Sequence, residues 1–426
     1  MAQATSDDIV TLSEWLSSNG GRFHPDVSFR AGPSGYSVIA GQDILPGTTV
    51  VSCPFKLAIT PEVSRQALIS VLTSTDLSPL DTWSERQLIC SYICLHWILG
   101  ESSNRDVLKH WPYLNTLPSA DKLLTPLHFT ATEIEAFRGS NLYGATHDRQ
   151  RDWQQEWRQC QELFSAANSP WGSEFTWERY LTAATYLSSR AFPSTLLSPE
   201  PSLVPTSTSH PILLPGVDAL NHARAHPVSW VVSATSPVSY SELNVGLSEN
   251  SQSISLVLRT GTQSGHELFN NYGPKPNAEL ILGYGFSLPH NPDDTIVLKI
   301  GGAAPGSGSQ PKYEVGRDAS GAELVWGAIL AAICEDPEEV TVEDELDAAE
   351  MLVEMAEDLR NRLPQPRAAA QDLRPEVATM LEHYLEGQRD IMHSLIAFAR
   401  DKQRQAIQQA REQGLQIVDE ETEGEE

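Results

Sequence analysis

Apolar side chains recur at helical spacing at the start of the chain and again over most of its middle and its last quarter. Near the start, Ile9, Leu12 and Leu16 fall on one face, which predicts an amphipathic helix over residues 7–19. The Asn-Gly-Gly sequence that follows is typical of a helix end. The pattern therefore predicts a helix ahead of the first strands.

Strand-like alternation replaces this spacing after the first helix. Tyr36–Ala40 and Thr48–Ser52 are predicted strands with a Pro-Gly turn between them, and two prolines bracket a third short strand, Leu57–Thr60. Short strands return between Val228 and Phe269, interrupted by a polar loop over residues 244–253. The strands are therefore predicted in two groups, far apart in the sequence.

Helical spacing dominates the sequence between these two groups, from about residue 61 to residue 189. Residues 111–118 carry two prolines and are predicted to be a connector rather than a regular helix. A helix is predicted over Trp177–Ser189, and residues 193–215, which are rich in Pro, Ser and Thr, are predicted to form a loop. The middle of the chain is therefore predicted to be a helical insertion.

Three more helices are predicted towards the end, after a Gly, Ala, Pro and Ser run over residues 301–308 that is typical of a linker. Their predicted ranges are Ala322–Cys334, Val342–Leu363 and Arg374 to about Gln413. The last of these is long and charged, with one apolar stripe.

These patterns together predict an α+β protein with two domains. The first, residues 1–300, is a β-fold of short strands with a helical insertion over about 61–188. The second, residues 309–418, is all-α. Residues 419–426 are predicted to be an acidic disordered tail.

The net charge of the chain indicates which classes of binding partner to expect. The 426 residues carry a formal net charge of −27, which opposes binding of a nucleic acid through its phosphates. The same charge attracts basic partners. We therefore expect a basic protein partner and no nucleic acid.

The cysteines and the apolar runs indicate the compartment. Five cysteines, without a Cys-x-x-Cys pair, favour reduced thiols and no zinc module. The first ten residues lack the basic start of a secretory signal, and the apolar run Leu88–Leu99 is too short to span a membrane. We expect a cytoplasmic or nuclear protein that does not enter a membrane.

A cluster of polar residues lies in an otherwise apolar segment, as Asp218-Ala-Leu-Asn221-His222. Three interpretations stand: a polar cluster that is satisfied internally, a small-ligand site, or a metal site formed by Asp218, His222 and His226. The metal site needs a long helix, which the flanking prolines and glycine disfavour. We expect no metal.

Three other segments are candidates for a site. Arg190 ends a predicted helix, where it either stabilises the helix dipole or faces a ligand. Ser34-Gly35-Tyr36 forms a turn whose glycine permits close approach of a ligand to the backbone. Gly265–Gly273 is predicted to be a strand end that runs into a tight turn, with Tyr272 either structural or functional.

The order of these segments resembles a SET domain. The matching segments are Gly35–Ala40, Ser189–Phe192, Asp218–His222 and Gly265–Gly273. With Asn277–Phe286 and Tyr384–Ile391 added, the chain is similar, over roughly residues 10–400, to the class typified by the Rubisco large-subunit methyltransferase. Members of that class have a helical insertion in the SET domain and a helical C-terminal substrate-binding domain.

The resemblance implies transfer of a methyl group from S-adenosylmethionine to a protein side chain, with Tyr272 as the catalytic residue at the transfer point. The cofactor site that it implies consists of Ser34, Tyr36, Ser189, Asp218, Asn221, His222, Tyr272 and Phe286. The residues that it places at the acceptor channel are Arg190, Phe192 and Tyr284.

The expected activity is that of a protein-lysine N-methyltransferase that acts as a monomer on a basic protein, such as a ribosomal protein. Two alternatives remain, a protein-histidine N-methyltransferase and a non-catalytic SET-fold scaffold. A histidine acceptor needs a polar group to orient its ring, and Phe192 offers none, so lysine is favoured.

Overall fold

The computed structural model describes residues 7–32, 35–73, 75–101, 106–234, 252–300, 311–334, 340–364 and 372–415. The chain divides into two compact units. The first comprises Met1–Leu123 and Arg149–Pro274, and the second comprises Leu124–Asp148 and Lys275–Glu426. The linker at 301–308, the tail at 419–426 and most of the loop at 244–253 lie outside the described residues.

The first unit contains the main sheet and most of the insertion helices. Its helices are α1 (Asp7–Ser18), α2 (Pro61–Val71), α3 (Glu85–Leu99), α4 (Trp111–Leu114), α7 (Ser169–Glu174) and α8 (Trp177–Arg190), with α6 (Asn141–Ala167) shared with the second unit. Its strands are β1 (Arg22–Phe23), β2 (Val27–Gly32), β3 (Gly35–Ala40), β4 (Thr49–Pro54), β5 (Phe192–Pro193), β6 (Pro211–Ile212), β7 (Val228–Ala234) and β8 (Gln252–Leu258).

Four of these strands form one antiparallel sheet in the order β1-β4-β8-β7. Cys53 of β4 pairs with Ile254 of β8, and Trp230 of β7 pairs with Leu256. The strands β2 and β3 form a separate hairpin, and β5 pairs with β6. The sheet therefore joins the two groups of strands that the helical insertion separates in the sequence.

Local sequence explains where the insertion helices begin. Ser84 starts α3 with a capping box, in which Ser84 and Gln87 satisfy each other's backbone N–H groups. Thr176 caps α8 through a hydrogen bond from the Arg179 amide. Residues 88–95 of α3 are all buried, so this helix lies inside its unit rather than on the surface.

The second unit is largely helical. Its other elements are α5 (Ala131–Glu135), α9 (Asn277–Tyr284), β9 (Thr295–Lys299), β10 (Lys312–Gly316), α10 (Ala322–Ile333), α11 (Val342–Arg362) and α12 (Pro375–Glu412). Apolar stripes of α11 and α12 form its core with residues such as Phe137 and Trp326. Arg374 binds the carboxylate of Glu133, which lies in the part of this unit before α6.

Three expectations from the sequence are wrong in detail. Phe55–Leu57 forms a 3-10 turn instead of the start of a strand, and only Ile59 pairs, with Leu213. The connector contains one helical turn, Trp111–Leu114, because Pro112 lies in the first turn, where its missing N–H costs no hydrogen bond. Residues 265–273 form isolated bridges rather than a strand.

The compact units do not follow the expected domain limits. The hairpin of β9 and β10 flanks the expected linker, and both strands belong to the second unit. Residues 124–148 of the expected insertion also belong to that unit. The division into domains at 300 and 309 stays a prediction.

Two further findings concern the described residues only. None of their helices is both long and apolar enough to cross a membrane. They also include no group of three or more His, Cys, Asp or Glu side chains placed to hold a metal ion.

Candidate active site

Two distant segments of the first unit cross at the candidate site. The Asn270 amide donates a hydrogen bond to the Asn221 carbonyl oxygen at 2.8 Å, and the Ala223 amide donates to the Asn270 carbonyl oxygen at 2.9 Å. His222 and Asn270 thus form an isolated parallel bridge. The crossing brings together the Asn-His and Asn-Tyr-Gly motifs, which are about fifty residues apart in the sequence.

Tyr272 is held at this crossing from three directions. Its amide donates to Nδ1 of His222 at 3.0 Å, and its hydroxyl donates to the Leu220 carbonyl oxygen at 2.9 Å. The rings of Tyr272 and His222 stack with their centroids 5.0 Å apart. Because Nδ1 of His222 accepts a hydrogen bond, the neutral ring carries its proton on Nε2. The phenol uses its only proton on Leu220, so its oxygen lone pairs can only accept.

Asn221 ties the crossing to the hairpin strand β3. Its side-chain amide donates to Oε1 of Glu267 at 2.7 Å and to Oγ of Ser37 at 3.3 Å. The Leu268 amide donates to the Val38 carbonyl oxygen at 2.8 Å. Among the residues that the structure describes, none donates a hydrogen bond to the exposed amide oxygen of Asn221. That oxygen can therefore accept a bond from a ligand.

A partly buried ion pair lies beside the crossing. Arg190, at the end of α8, donates from Nη1 to Oδ2 of Asp218 at 3.1 Å and to the Asp218 carbonyl oxygen at 3.2 Å. Burial is the largest single influence and lowers the pKa of Arg190, but Asp218, Tyr113 and Tyr272 together outweigh it, so the pKa is raised. Arg190 therefore stays charged and holds the turn around Asp218.

Tyr113 is the third member of this group. Its hydroxyl donates to Oδ2 of Asp218 at 2.7 Å, and its side chain is almost completely buried. Burial and the nearby Asp218 charge raise the pKa of Tyr113 well above its usual range, so it remains a hydrogen-bond donor. One carboxylate oxygen thus accepts from both Tyr113 and Arg190.

The same residues form part of the wall of a cleft in the first unit. Three candidate site residues, Tyr36, Arg190 and Asp218, contribute to it. The remaining walls consist of Ile9, Leu12, Phe29, Tyr113, Thr116, Leu117, Gly216 and Ala219. The wall combines apolar side chains with the ion pair, the tyrosine hydroxyls and Thr116, and small-molecule sites also place a few polar groups among apolar side chains.

Ser189 and Phe192 lie within two residues of Arg190 in the chain but make contacts of their own. The Ser189 hydroxyl donates to the Thr185 carbonyl oxygen at 2.7 Å, within its own helix. The Phe192 ring packs edge-on against Trp230, with centroids 5.2 Å apart. The implied roles of Ser189 in the cofactor site and of Phe192 at the acceptor channel stay predictions.

Tyr284 and Phe286 belong to the second unit. Their rings meet edge-on at 6.1 Å, and Nζ of Lys275 lies 5.6 Å from the centroid of the Tyr284 ring. Burial raises the pKa of Tyr284. Ser34 lies outside the described residues. The implied roles of these three residues stay predictions.

Sequence reasoning did not single out Tyr113 or Glu267. Tyr113 lies in a segment interpreted as a connector, and no local pattern shows that its hydroxyl reaches Asp218, 105 positions away. Glu267 lies within the stretch that contains Tyr272, and an acidic residue among strand-forming neighbours was the available signal. Both contacts depend on tertiary structure.

Sequence relatives of the chain include methyltransferases, although no family model matches it. The ribosomal lysine N-methyltransferase set10 of Schizosaccharomyces pombe is 33% identical over 289 residues, 66% of this chain and 46% of set10. The N-lysine methyltransferase SETD6 of Rattus norvegicus is 24% identical, over 69% of this chain and 58% of SETD6. The actin-histidine N-methyltransferase of Rattus norvegicus is 22% identical, over 69% and 45%. The chain spans about half the length of these relatives.

Solved structures show the same fold. A Rubisco LSMT SET-domain structure with lysine and AdoHcy has a TM-score of 0.69 and 17% identity, and the match covers 99% of this chain and 98% of that one. Rubisco LSMT with AdoMet has the same TM-score and identity, with 98% of each chain covered. The match extends over nearly the whole chain, which therefore has the fold of the Rubisco LSMT SET-domain structures.

Proposed function

We propose that this protein is an S-adenosylmethionine-dependent protein-lysine N-methyltransferase. The observation that carries the proposal is the crossing of the Asn-His and Asn-Tyr-Gly motifs. This crossing fixes the Tyr272 phenol, whose oxygen can then only accept hydrogen bonds. Two kinds of comparison support it. The relative set10 is named a ribosomal lysine N-methyltransferase, and the similar LSMT structures are described with AdoMet, or with AdoHcy and lysine.

The polar groups of the first unit fit such a cofactor. The amide oxygen of Asn221, which accepts no hydrogen bond from the described residues, suits the ammonium group of its methionine part, and the apolar side chains of the cleft wall suit its less polar atoms. We assign its binding to Tyr36, Asn221 and His222, with Ser34, Ser189, Asp218 and Phe286 as further contacts. The cofactor supplies a methyl group on a positively charged sulfur.

The residues of the chain supply alignment. Methyl transfer is an in-line displacement, so the acceptor nitrogen, the methyl carbon and the sulfur must lie on one line. Tyr272 is fixed by its amide, its hydroxyl and its ring, and so offers its oxygen at a constant position. A phenol oxygen of this kind can hold the acceptor amine, or accept a weak C–H···O contact from a polarised methyl group.

A lysine acceptor must lose a proton before it can attack, since its ordinary pKa is about 10.4. An apolar channel next to a positive charge disfavours the ammonium form and lowers that pKa. We assign the channel wall to Arg190, Phe192 and Tyr284.

Lysine is favoured over histidine as the acceptor because Phe192 packs against Trp230, so the channel residue nearest Arg190 in sequence is apolar. A neutral imidazole needs a polar partner to select its reactive nitrogen. The 22% identity to an actin-histidine N-methyltransferase makes histidine the second candidate.

The acceptor that we propose is a basic protein, such as a ribosomal protein, methylated by a monomer in the cytoplasm or nucleus. The net charge of −27 supports a basic partner and argues against a nucleic acid.

Incubation of the purified protein with methyl-labelled S-adenosylmethionine and cell extract tests the proposal. We expect label in a basic protein and, after acid hydrolysis, in methyl-lysine. Label in methyl-histidine would establish the second candidate. Absence of both cofactor binding and label transfer would leave the non-catalytic scaffold as the correct interpretation.

A further inference from the structure

The one-turn helix α4 of the insertion contributes one hydrogen bond directly to the turn that precedes the Asn-His motif. Tyr113 of the one-turn helix α4 donates to Oδ2 of Asp218, which lies in the 3-10 turn Val217–Ala219. Arg190 holds the same turn twice, through the carboxylate and through the carbonyl oxygen of Asp218. Asp218 is therefore fixed by donors from two helices.

This turn leads directly to the acceptor of the Tyr272 hydroxyl. Leu220, two residues after Asp218, supplies the carbonyl oxygen that the hydroxyl binds at 2.9 Å. Any displacement of the turn therefore moves the carbonyl that orients the phenol. The contacts form a continuous series from Tyr113 through Asp218 and Leu220 to Tyr272.

A second group with the same chemistry provides a comparison within the same unit. The Tyr180 hydroxyl donates to Oε2 of Glu156 at 2.9 Å, and Nε of Arg86 donates to the same oxygen at 2.8 Å. Tyr180 is buried, like Tyr113. All three residues lie on the helices α3, α6 and α8, and neither of these hydrogen bonds involves the turn at Asp218.

We propose that Tyr113 is a positioning residue for methyl transfer, acting through Asp218 and Leu220 on the Tyr272 hydroxyl. This inference rests on the proposed function and extends it to the insertion. Tyr113 also forms part of the cleft wall beside Tyr36 and Arg190, so the hydroxyl serves the site rather than a remote part of the core.

The test compares Tyr113→Phe with Tyr180→Phe. Each change removes one buried hydroxyl from a carboxylate that keeps its arginine, so we expect both to lower the melting temperature by a similar few degrees. Initial rates are measured with labelled S-adenosylmethionine at saturating concentration and purified ribosomal proteins as the acceptor mixture. We expect Tyr113→Phe to lower the maximal rate roughly tenfold and Tyr180→Phe to change it less than about twofold.

A double-mutant cycle separates positioning from a general loss of structure. In a Tyr272→Phe background the hydroxyl through which Tyr113 acts is missing, so we expect Tyr113→Phe to lower the residual rate by less than about twofold. Effects that multiply would contradict the proposal. So would equal rates for Tyr113→Phe and Tyr180→Phe, or a far larger loss of melting temperature in Tyr113→Phe.

Different results would contradict the proposed function and the positioning role of Tyr113. If the unmodified protein neither binds S-adenosylmethionine nor transfers label, the proposed function is wrong and Tyr113 has no such role. If it transfers label and Tyr113→Phe retains the rate of Tyr180→Phe, the function stands and the positioning role is wrong.

Discussion

Individual side chains at the candidate site have their hydrogen-bonding roles set by their neighbours. Nδ1 of His222 accepts from a backbone amide, and the Tyr272 hydroxyl donates to a backbone carbonyl. Both partners are main-chain groups, which hold their positions better than flexible side chains do. The phenol oxygen is thereby kept as an acceptor at one place.

Replacement of Tyr272 by Phe should greatly reduce methyl transfer, by roughly 10²-fold, because it removes the oxygen that we propose holds the acceptor amine or methyl group. The ring stays, so the stack on His222 stays with it. Cofactor affinity, measured by calorimetry, should be nearly unchanged and serves as the control. Undiminished turnover in this variant would mean that a group other than the Tyr272 hydroxyl holds the acceptor amine or methyl group.

The short turn that carries Asp218 depends on the backbone conformation of one glycine. The turn that carries Asp218 begins at Gly216, which has a left-handed backbone with φ of 80°. A Cβ atom there would lie 2.9 Å from Cδ1 of Leu16 and from Cζ of Phe23. Only glycine meets both conditions, so this residue permits the turn to pack against α1 and β1.

Gly216→Ala should therefore destabilise the protein, by about 1–3 kcal/mol, because it combines overpacking with backbone strain. Gly144, in helix α6, has open space where a Cβ would lie, and Gly144→Ala is the matched control. We expect the control to be stabilising by about 0.5–1 kcal/mol, since alanine favours a helix. Urea unfolding of both variants measures the difference, and two shifts of the same sign would refute the explanation.

The whole molecule combines a strongly acidic composition with buried neutral histidines in the first unit. Burial lowers the pKa of His96 to about 4, against a hydrogen bond to the Tyr92 carbonyl that raises it. Burial, followed by the charges of His96 and Lys109, lowers the pKa of His110 well below its usual range. Protonation of these rings is therefore linked to unfolding.

Stability should fall as the pH decreases from about 6.5 to about 4. In this interval the unfolded chain binds protons at His96 and His110 that the folded chain does not, so acid favours unfolding. For His96 alone the shift corresponds to about 3 kcal/mol. Well above pH 6.5 both rings are neutral in either state, and their contribution is constant.

Urea unfolding midpoints across this interval test the expectation, with His96→Phe as the variant. Removal of the titrating ring should make the decline with acid shallower. The exposed His393 on α12 supplies the control, and His393→Phe should leave the decline as it is. An unaltered decline in His96→Phe would exclude this histidine as a source.

A second expectation at this scale concerns salt. The net charge of −27 should attract a basic acceptor over a distance that salt shortens, so kcat/KM should fall as NaCl rises from about 0.05 to 0.3 M. An acceptor peptide with its other lysines replaced by glutamine is the control, and its kcat/KM should depend less on salt. Equal salt dependence for both acceptors would show that charge does not guide the encounter.

The sequence by itself determined the long helices, the strands β3 and β4 and the order of the motifs, because periodicity and capping act between neighbouring residues. Helices α10, α11 and α12 lie within a residue or two of their predicted ends. The strand predicted over Leu57–Thr60 was wrong because a few residues between two prolines cannot show whether a partner strand lies nearby.

Only the tertiary structure decided which distant groups meet. The sequence motifs include Asp218 and Tyr272. The hydrogen bond from Tyr113 to Asp218, however, spans 105 positions. The crossing of His222 with Asn270 depends on how two loops pack. Such contacts leave no periodicity in the sequence, because they depend on chain reversal and packing rather than on neighbouring residues. For the same reason the sequence indicated Tyr272 as a candidate, and its fixed orientation became visible only in the folded chain.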